Sequence, residues 1–208
     1  MTEDDCKVAE ALNVSRETLG KLEQYADLVR KWNSAINLIG RSTEGQIWIR
    51  HIQDSAQLWG LRAAPFGTWL DLGSGGGLPG IVLATIATEK APESRFVLVE
   101  SDQRKATFLR TAARTLCLNV TVHAARVEQL PPQRADVISA RALAPLTDLC
   151  ALAAPHLAPE GMCLFPKGAN YASEIAAARL SWNMEPEIHP SVTDPSAVIL
   201  KLKAMAHV

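Results

Sequence analysis

The residues best suited to chemistry lie in the segment W-L-D-L-G-S-G-G-G-L-P-G, which spans residues 69–80. Its apolar start is typical of a buried strand, and Asp71 is an acid near the end of that strand. Glycines at 73, 75, 76 and 77 leave a turn almost without side chains, and the apolar run at 81–87 predicts a buried helix. A strand, a glycine turn and a helix form the first unit of a nucleotide-binding α/β fold, in which a cofactor lies against bare backbone.

The glycine turn alone does not name the cofactor. Gly75, Gly77 and Gly80 match the G-x-G-x-x-G pattern of dinucleotide sites, and a plain strand-to-helix turn is the structural alternative. A second apolar strand at 96–99 ends at Glu100, about twenty residues past the glycines, where an acid accepts hydrogen bonds from ribose hydroxyls. The alternative role for Glu100 is to cap the helix that begins near Ser101.

Strands and helices alternate along the rest of the chain. Apolar and β-branched runs predict strands at 69–72, 96–99, 120–123, 136–140, 162–165, 185–189 and 197–203. Helices are predicted at 81–87, 102–116, 143–157 and 172–180. This alternation predicts an α/β fold with a seven-stranded, mostly parallel sheet covered on both faces. The last two strands have no helix between them, so they form a hairpin and an antiparallel edge.

The first quarter of the chain predicts helices. Ser15 is a good N-cap, and apolar residues then recur at three- and four-residue steps up to Ile36. A second helical stretch covers 44–61. We therefore divide the chain into an N-terminal helical extension, residues 1–64, packed on a core of residues 65–208 that forms one globular unit.

A His–Asp–Ser trio in the second helical stretch invites a hydrolase interpretation. His51, Asp54 and Ser55 stand at i, i+3 and i+4, so they share one helix face. Residues on one face cannot easily surround an attacked carbonyl, and the chain has no nucleophile elbow. A structural hydrogen-bond cluster is therefore favoured over a substrate-facing one.

Composition and charge exclude several classes of protein. The longest apolar stretches are too short to span a bilayer, and the acidic start M-T-E-D-D-C-K does not resemble a signal peptide. The four cysteines are far apart, as isolated thiols in a reducing compartment are, so we expect a cytoplasmic protein without a metal site. A monomer is the default expectation.

The net charge of −1 hides a basic segment. Residues 104–141 hold seven Lys or Arg and two Asp or Glu. Such a segment attracts nucleic acid through its phosphates. Its arginines are equally well explained as the solvated face of a helix.

Ligands of open α/β sheets bind at the carboxyl ends of the strands. That rule places the glycine turn, Glu100, residues 126–128, Arg141 and Lys167 around one crevice. Their convergence carries more weight than any one of them, since Arg126 and Glu128 could form an exposed pair and Lys167 could be an ordinary loop lysine.

Six segments carry a resemblance to one bacterial family. They read N-L-I-G at 37–40, R-H-I-Q-D-S at 50–55, D-L-G-S-G-G-G-L-P-G at 71–80, A-R-V-E at 125–128, I-S-A-R-A at 138–142 and P-K-G at 166–168. The glycine segment with Glu100 looks like a class I (Rossmann-like) S-adenosylmethionine-dependent methyltransferase. The whole set, over residues 15–205, resembles the small-subunit ribosomal RNA 7-methylguanosine methyltransferases, also called glucose-inhibited division protein B or ribosomal RNA small subunit methyltransferase G. The chain departs from the usual pattern at Ser74, Ala140 and Pro166.

The resemblance implies methyl transfer from S-adenosylmethionine to N7 of a guanine in the decoding-region loop of 16S rRNA, with the free rRNA or the small ribosomal subunit as partner. The cofactor residues it implies, together with those of the broader class, are Asp71, Gly73, Ser74, Gly75, Gly77, Leu78, Glu100, Ser101, Val127, Glu128 and Arg141. Guanine N7 has a free lone pair and no proton to lose, so no general base is required. We expect Asn37, His51, Arg141 and Lys167 to position the RNA and the base.

Two other classes stay open on the sequence. A NAD-dependent oxidoreductase would share the glycine turn and Glu100, although no clear catalytic domain follows. A non-catalytic ribosome-binding factor would bind the subunit without consuming the cofactor. A methyltransferase for small molecules or proteins would share the fold, and the family-specific segments argue against it.

Overall fold

A central β-sheet organises the computed structural model, which describes residues 3–62 and 65–208. The strands within these residues are β1 (Thr68–Leu72), β2 (Arg95–Val99), β3 (Val120–His123), β4 (Ala135–Ala140), β5 (Leu157–Lys167), β6 (Trp182–Met184), β7 (Glu187–Pro190), β8 (Val198–Leu202) and β9 (Met205–His207). Seven of them form one sheet in the order β3-β2-β1-β4-β5-β8-β7, and β6 pairs with β9 in a separate two-stranded sheet.

The register of the large sheet positions the site. β1 pairs in parallel with β2 and with β4, and the last residues of these three strands lie side by side. The residues that follow the three strands are Gly73, Glu100 and Arg141, so parallel pairing alone brings these positions to one edge of the sheet. On the other side, β8 runs antiparallel to both β5 and β7, which confirms the predicted final hairpin.

Helices cover both faces of the sheet. The α-helices in the described residues are α1 (Glu3–Ala11), α2 (Arg16–Asn33), α3 (Asp54–Ala56), α4 (Gly80–Lys90), α5 (Gln103–Thr115), α6 (Leu146–Ala153) and α7 (Tyr171–Ala178). Short 3₁₀ turns cover Arg41–Gln46, Gln57–Leu61, Val127–Gln129 and Ala154–His156, and a π-helix covers Trp48–Gln53. None of the helices in this part of the chain is long and apolar enough to cross a membrane.

Two apolar cores lie on the opposite faces of the sheet. Along β1, Trp69 joins one core while its neighbours Leu70 and Leu72 join the other, because successive strand residues point to opposite faces. The Trp69 core takes in residues from α1, α2, α4 and α5 together with the segment 47–58. The N-terminal helices therefore share the hydrophobic core of the sheet.

The start of α2 is fixed to the end of α4 by polar contacts. Ser15 is the N-cap, as predicted, and its hydroxyl accepts a hydrogen bond from the backbone N–H of Thr18 at 3.2 Å. The backbone N–H of Ser15 and the hydroxyl of Thr18 both donate to Glu89 Oε2, at 2.9 and 2.8 Å. Lys90 Nζ adds a bond to the carbonyl of Asn13 at 2.7 Å. The capping residues of one helix thus anchor it to another.

The predicted fold is confirmed, and the local differences have simple causes. The helix expected over 143–157 begins at Leu146, because Pro145 precedes it and the residue before a proline avoids the helical region. The stretch 44–61 is a series of short helical turns. β6 and β9 were not predicted, since three-residue strands carry too little periodic pattern. The predicted domain boundary at residue 64 falls outside the described residues.

One buried hydroxyl joins α2 to the glycine turn. Tyr25 is fully buried, and its hydroxyl donates to the carbonyl oxygen of Gly76 at 2.6 Å. Burial raises the pKa of Tyr25 far above its ordinary value, so the hydroxyl keeps its proton and stays a donor.

Replacing Tyr25 by Phe should lower the free energy of unfolding by about 1–3 kcal/mol, because the buried carbonyl of Gly76 loses its partner while the ring is kept. Urea unfolding measures the change. Tyr171→Phe is the matched control, since the Tyr171 hydroxyl makes no hydrogen bond within the described part of the chain. Equal stability of the two variants would contradict the role of Tyr25.

Candidate active site

The glycine turn has a conformation that side chains would disturb. Gly73 has φ +64° and Gly77 has φ +88°, in the left-handed region that favours glycine. A Cβ at Gly73 would lie 2.5 Å from a methyl carbon of Leu143, and one at Gly77 would lie 2.5 Å from Ile81. Leu143 and Ile81 can therefore approach the turn this closely only because residues 73 and 77 are glycines.

Glu100 holds the glycine turn and the next turn of the chain together. Its Oε2 accepts a hydrogen bond from the backbone N–H of Gly75 at 2.9 Å, and its Oε1 accepts one from the backbone N–H of Asp102 at 2.7 Å. Asp102 caps α5, with bonds from the N–H groups of Arg104 and Lys105. Glu100 thus does not cap α5 itself. A carboxylate has about four lone-pair sites, so two accepted bonds leave Glu100 able to accept more.

Asp71 lies beneath the turn and faces inward. It is 1% exposed, and its Oδ1 accepts a bond from the Ser139 hydroxyl at 2.6 Å, while Ser139 accepts from Trp69 Nε1 at 2.9 Å. Its Oδ2 accepts from the N–H of Gly80 at 3.3 Å. Burial raises the pKa of Asp71 to about 6, although the hydrogen bond from Ser139 acts in the opposite direction and lowers the pKa. Asp71 therefore joins β1, β4 and α4.

A first cavity of about 460 Å³ opens beside the glycine turn, within the size range of small-molecule sites. The carboxyl ends of β1 and β2 form its floor, and the 3₁₀ turn after β3 forms one side. Its lining comprises Leu38, Gly73, Ser74, Gly75, Gly76, Leu78, Val99, Glu100, Ser101, Lys105, Ala125, Arg126, Val127, Glu128, Arg141, Ala142, Leu143 and Leu152.

A second cavity of about 800 Å³ adjoins the first. The two share Arg141, Ala142 and Leu143, the residues that follow β4. Ala142 has φ +52°, which is unfavourable for a residue with a Cβ and is typical of functional loops. The remaining wall of the second cavity comes from the segment 43–54, the end of β5, the start of α7 and the loop between β7 and β8.

Arg141 connects the shared wall to the N-terminal helical segment. Its Nη1 lies 2.9 Å from Asp54 Oδ2, and its Nη2 lies 3.1 Å from His51 Nδ1. Burial, followed by the nearby charge of Arg141, lowers the pKa of His51 to about 4. The ring is therefore neutral at neutral pH. The structure places the predicted His51 and Asp54 in one polar cluster, and the Ser55 hydroxyl takes no part in it.

Lys167 is occupied by structural contacts. Its side chain is 8% exposed, and Nζ donates to Glu174 Oε2 at 2.7 Å and to the carbonyl of Ala144 at 2.9 Å. The same Glu174 oxygen accepts from the backbone N–H of Leu146, the first residue of α6. Lys167 lines the second cavity but also fixes the loop that carries Arg141.

The predicted site residues divide among three positions. The first cavity is lined by Gly73, Ser74, Gly75, Leu78, Glu100, Ser101, Val127, Glu128 and Arg141, and the second by His51, Arg141 and Lys167. Asp71 is buried beneath the turn, Gly77 is part of the turn, and Asn37 is exposed; none of these three lines either cavity.

Asn33 has a role at the site that sequence patterns do not indicate. It is buried at the end of α2, and its Oδ1 accepts from the N–H groups of Leu38 and Ile39 at 2.9 and 3.1 Å. Asn33 therefore shapes the N-L-I-G turn, whose Leu38 lines the first cavity and packs against Gly76. A buried amide of this kind has no pattern in the sequence. Lys105 and Leu143 also line the first cavity, and the sequence does not predict this because their position depends on how α5 and the loop after β4 pack.

The strand order and the position of the first cavity define a class I methyltransferase fold. The chain is similar to the M. jannaschii protein TYW2 in complex with AdoMet, with a TM-score of 0.54, 14% identity, and 76% of each chain covered. It is also similar to a precorrin-6y C5,15-methyltransferase of Geobacter metallireducens, with a TM-score of 0.53, 16% identity, and 82% and 92% of the two chains covered. At such identities these likenesses concern the fold alone.

Sequence comparison gives the family. The family model described as rRNA small subunit methyltransferase G matches residues 18–201, so the chain belongs to that family. It is 70% identical over 197 residues to the ribosomal RNA small subunit methyltransferase G of Cereibacter sphaeroides, covering 95% of this chain and 96% of the relative. A relative of the same name from a Ruegeria species is 50% identical over 198 residues, with the same coverage.

The pKa of His51 predicts a pH-dependent contribution to stability. The ring titrates near 6.5 when unfolded and at about 4 when folded, so the unfolded chain binds more protons between these values. The contribution of neutral His51 is therefore complete above pH 6.5 and is lost as the pH falls towards 4.

The stability difference between the protein and His51→Asn should shrink by about 1–2 kcal/mol between neutral pH and pH 4, after allowance for solvent screening. Asp71, with its raised pKa, gives the opposite slope in the same range, but it is present in both proteins and cancels in the difference. Urea unfolding at a series of pH values measures it. A difference that does not change with pH would show that the fold does not lower the pKa of His51.

Proposed function

We propose that the protein transfers a methyl group from S-adenosylmethionine to N7 of a guanine in small-subunit ribosomal RNA. The observation that carries the proposal is family membership over nearly the whole chain, joined to a cavity at the carboxyl ends of β1 and β2. The guanine N7 position and the decoding-region loop rest on the family resemblance of the six sequence segments. We further propose that it works as a cytoplasmic monomer.

The first cavity fits the proposed cofactor in size and in the chemistry of its lining. Its glycine turn allows a cofactor to lie close to bare backbone, and Glu100 offers free lone pairs for two ribose hydroxyls. Leu38, Leu78 and Val127 supply apolar walls for a purine ring. When bound, S-adenosylmethionine supplies an activated methyl group on a sulfonium centre.

The chain's own residues have the task of orientation. Guanine N7 needs no base, because its lone pair is free. The side chains near the shared wall agree with this, since both ring nitrogens of His51 and two of the three donors of Lys167 are engaged by neighbours. The proposed contribution of the protein is to hold N7 in line with the methyl carbon at near-attack distance.

The second cavity is the proposed entry for the target guanine. It meets the first cavity at Arg141, Ala142 and Leu143, so a base lying in it would approach the methyl group across that wall. N7 is buried in the major groove of A-form RNA, and the base must therefore be accessible or extruded. We also propose that the chain divides into an N-terminal extension, residues 1–64, and a core, residues 65–208. Both parts contribute walls to this cavity.

One face of α5 supports an RNA substrate. Arg104, Arg110 and Arg114 are exposed on it, and the helix itself contains no acidic residue. Lys105 and Arg126 continue the positive charge to the rim of the first cavity. Phosphates are attracted to such a surface without regard to sequence, so specificity has to come from the folded substrate.

Labelled S-adenosylmethionine is incubated with small ribosomal subunits that lack the modification and, in parallel, with free 16S rRNA. Mass spectrometry of the digested RNA then identifies the product. Label in 7-methylguanosine at one position is expected. Cofactor binding without labelled RNA would favour the non-catalytic ribosome-binding factor or a different methyl acceptor, and binding of NADH alone would revive the oxidoreductase.

Glu100→Gln should raise the dissociation constant for S-adenosylmethionine at least tenfold, equivalent to about 1.4 kcal/mol. The amide replaces one acceptor oxygen with a donor that faces a backbone N–H group, and it removes the charge that would accept ribose hydroxyls. Isothermal titration calorimetry measures the constant. Glu93→Gln, at an exposed position outside the first cavity, is the control. An affinity within twofold of the parent would rule out the proposed role of Glu100.

A further inference from the structure

Arg141 is a long side chain held in a narrow range of positions. It lies in the wall between the two cavities, and its side chain is 20% exposed. Its partners all come from the segment that contains the π-helix: the carbonyl of Arg50 at 3.4 Å, His51 Nδ1 and Asp54 Oδ2. An arginine fork bound at several donors at once keeps little of its rotamer freedom.

The hydrogen bonds around His51 allow only one tautomer. Nδ1 receives a bond from Arg141 and must therefore be unprotonated, which leaves the proton on Nε2. Nε2 lies 2.8 Å from the Thr43 hydroxyl oxygen, and that hydroxyl donates to the carbonyl of Gly40 at 2.9 Å. Both ring nitrogens are thus in use. His51 therefore has no free ring nitrogen to offer a substrate.

Asp54 uses its two oxygens for different elements. Oδ2 pairs with Arg141, whereas Oδ1 accepts from the Thr193 hydroxyl at 2.7 Å and from Gln57 Nε2 at 2.9 Å. Thr193 belongs to the loop between β7 and β8, which forms another wall of the second cavity. The Asp54 carboxylate therefore joins Arg141, the residue after β4, to Thr193, which lies 139 residues from Asp54 in the sequence.

We propose that Asp54 is a positioning residue for methyl transfer, which fixes the guanidinium of Arg141 in the wall between the two cavities. The inference rests on the proposed function. Asp54 and His51 hold two different nitrogens of the same fork, so the plane of the guanidinium is defined as well as its place. A small displacement of a group that orients two reactants costs a large factor in rate.

Asp54→Asn tests the pairing with Arg141 selectively. The asparagine oxygen can still accept from Thr193 and Gln57, while its NH₂ group faces the donors of Arg141. The single-turnover rate at saturating cofactor and RNA should fall at least tenfold, and the apparent affinity for RNA should change much less, because RNA binding is spread over many phosphate contacts.

Thr193→Val is the matched control within the same cluster. It removes the bond to Oδ1 and the contact with the Ser191 hydroxyl, leaves the pair with Arg141 in place, and should change the rate less than threefold. Asp54→Glu keeps the charge that pairs with Arg141 and should retain more of the rate than Asp54→Asn. A rate for Thr193→Val as low as that for Asp54→Asn would assign the effect to the cavity wall and overturn the proposal.

A double-mutant cycle with Arg141→Met, which removes the charge that pairs with Asp54, decides whether Asp54 acts through Arg141. In the Arg141→Met background, Asp54→Asn should cost less than a further twofold. Independent effects of the two substitutions, or no effect of Asp54→Asn alone, would overturn the proposal. If Asp54→Asn does not fold, Asp54→Ser, which also removes the charge, takes its place in the cycle. A parent protein that methylates no small-subunit RNA would instead refute the proposed function, so the two failures are distinguishable.

Discussion

A turn made of glycines has almost no side chains to hold it, so its shape depends on hydrogen bonds from other parts of the chain. Three contacts provide this support: Glu100 accepts from the N–H of Gly75, Tyr25 donates to the carbonyl of Gly76, and the N–H of Ser74 donates to the carbonyl of Val99. They come from β2, from the turn after it and from α2. The bare backbone is thereby ordered before a ligand arrives, and a binding site with a fixed backbone loses less free energy to ordering.

This dependence explains why the N-terminal helices belong to the site. Tyr25 holds the glycine turn, Asn33 shapes the N-L-I-G turn beside it, and Asp54 holds Arg141. Each of these side chains is buried or half-buried. The bonds of Tyr25 and Asp54 join the N-terminal segment to the edge of the sheet, whereas the bonds of Asn33 shape the part of that segment that lines the first cavity. The helices thus do more than cover one face of the sheet.

The sequence predicts what is encoded locally. The strand, glycine turn and helix around residue 73, the N-cap at Ser15 and the acid after β2 all follow from short patterns and are found in the structure. Parallel pairing of these strands then suffices to predict one crevice. The convergence of Glu100 and Arg141 on one cavity could therefore be anticipated.

Contacts between distant residues could not be predicted. Arg141 and Asp54 are 87 residues apart, and nothing in either segment indicates the other as its partner. Lys167 looked free because its ion pair with Glu174 depends on how α7 packs. The inward direction of Asp71 depends on Ser139, which a single sequence presents only as a strand residue.

We propose that the glycine turn and Glu100 form the cofactor site and that Arg141 separates this site from the substrate side. A crystal structure with S-adenosylhomocysteine tests this most directly. We expect the ligand in the first cavity, with its ribose hydroxyls on Glu100 and its sulfur directed towards Arg141 and the second cavity. A ligand bound in the second cavity, or one that leaves Glu100 without a ribose contact, would contradict it.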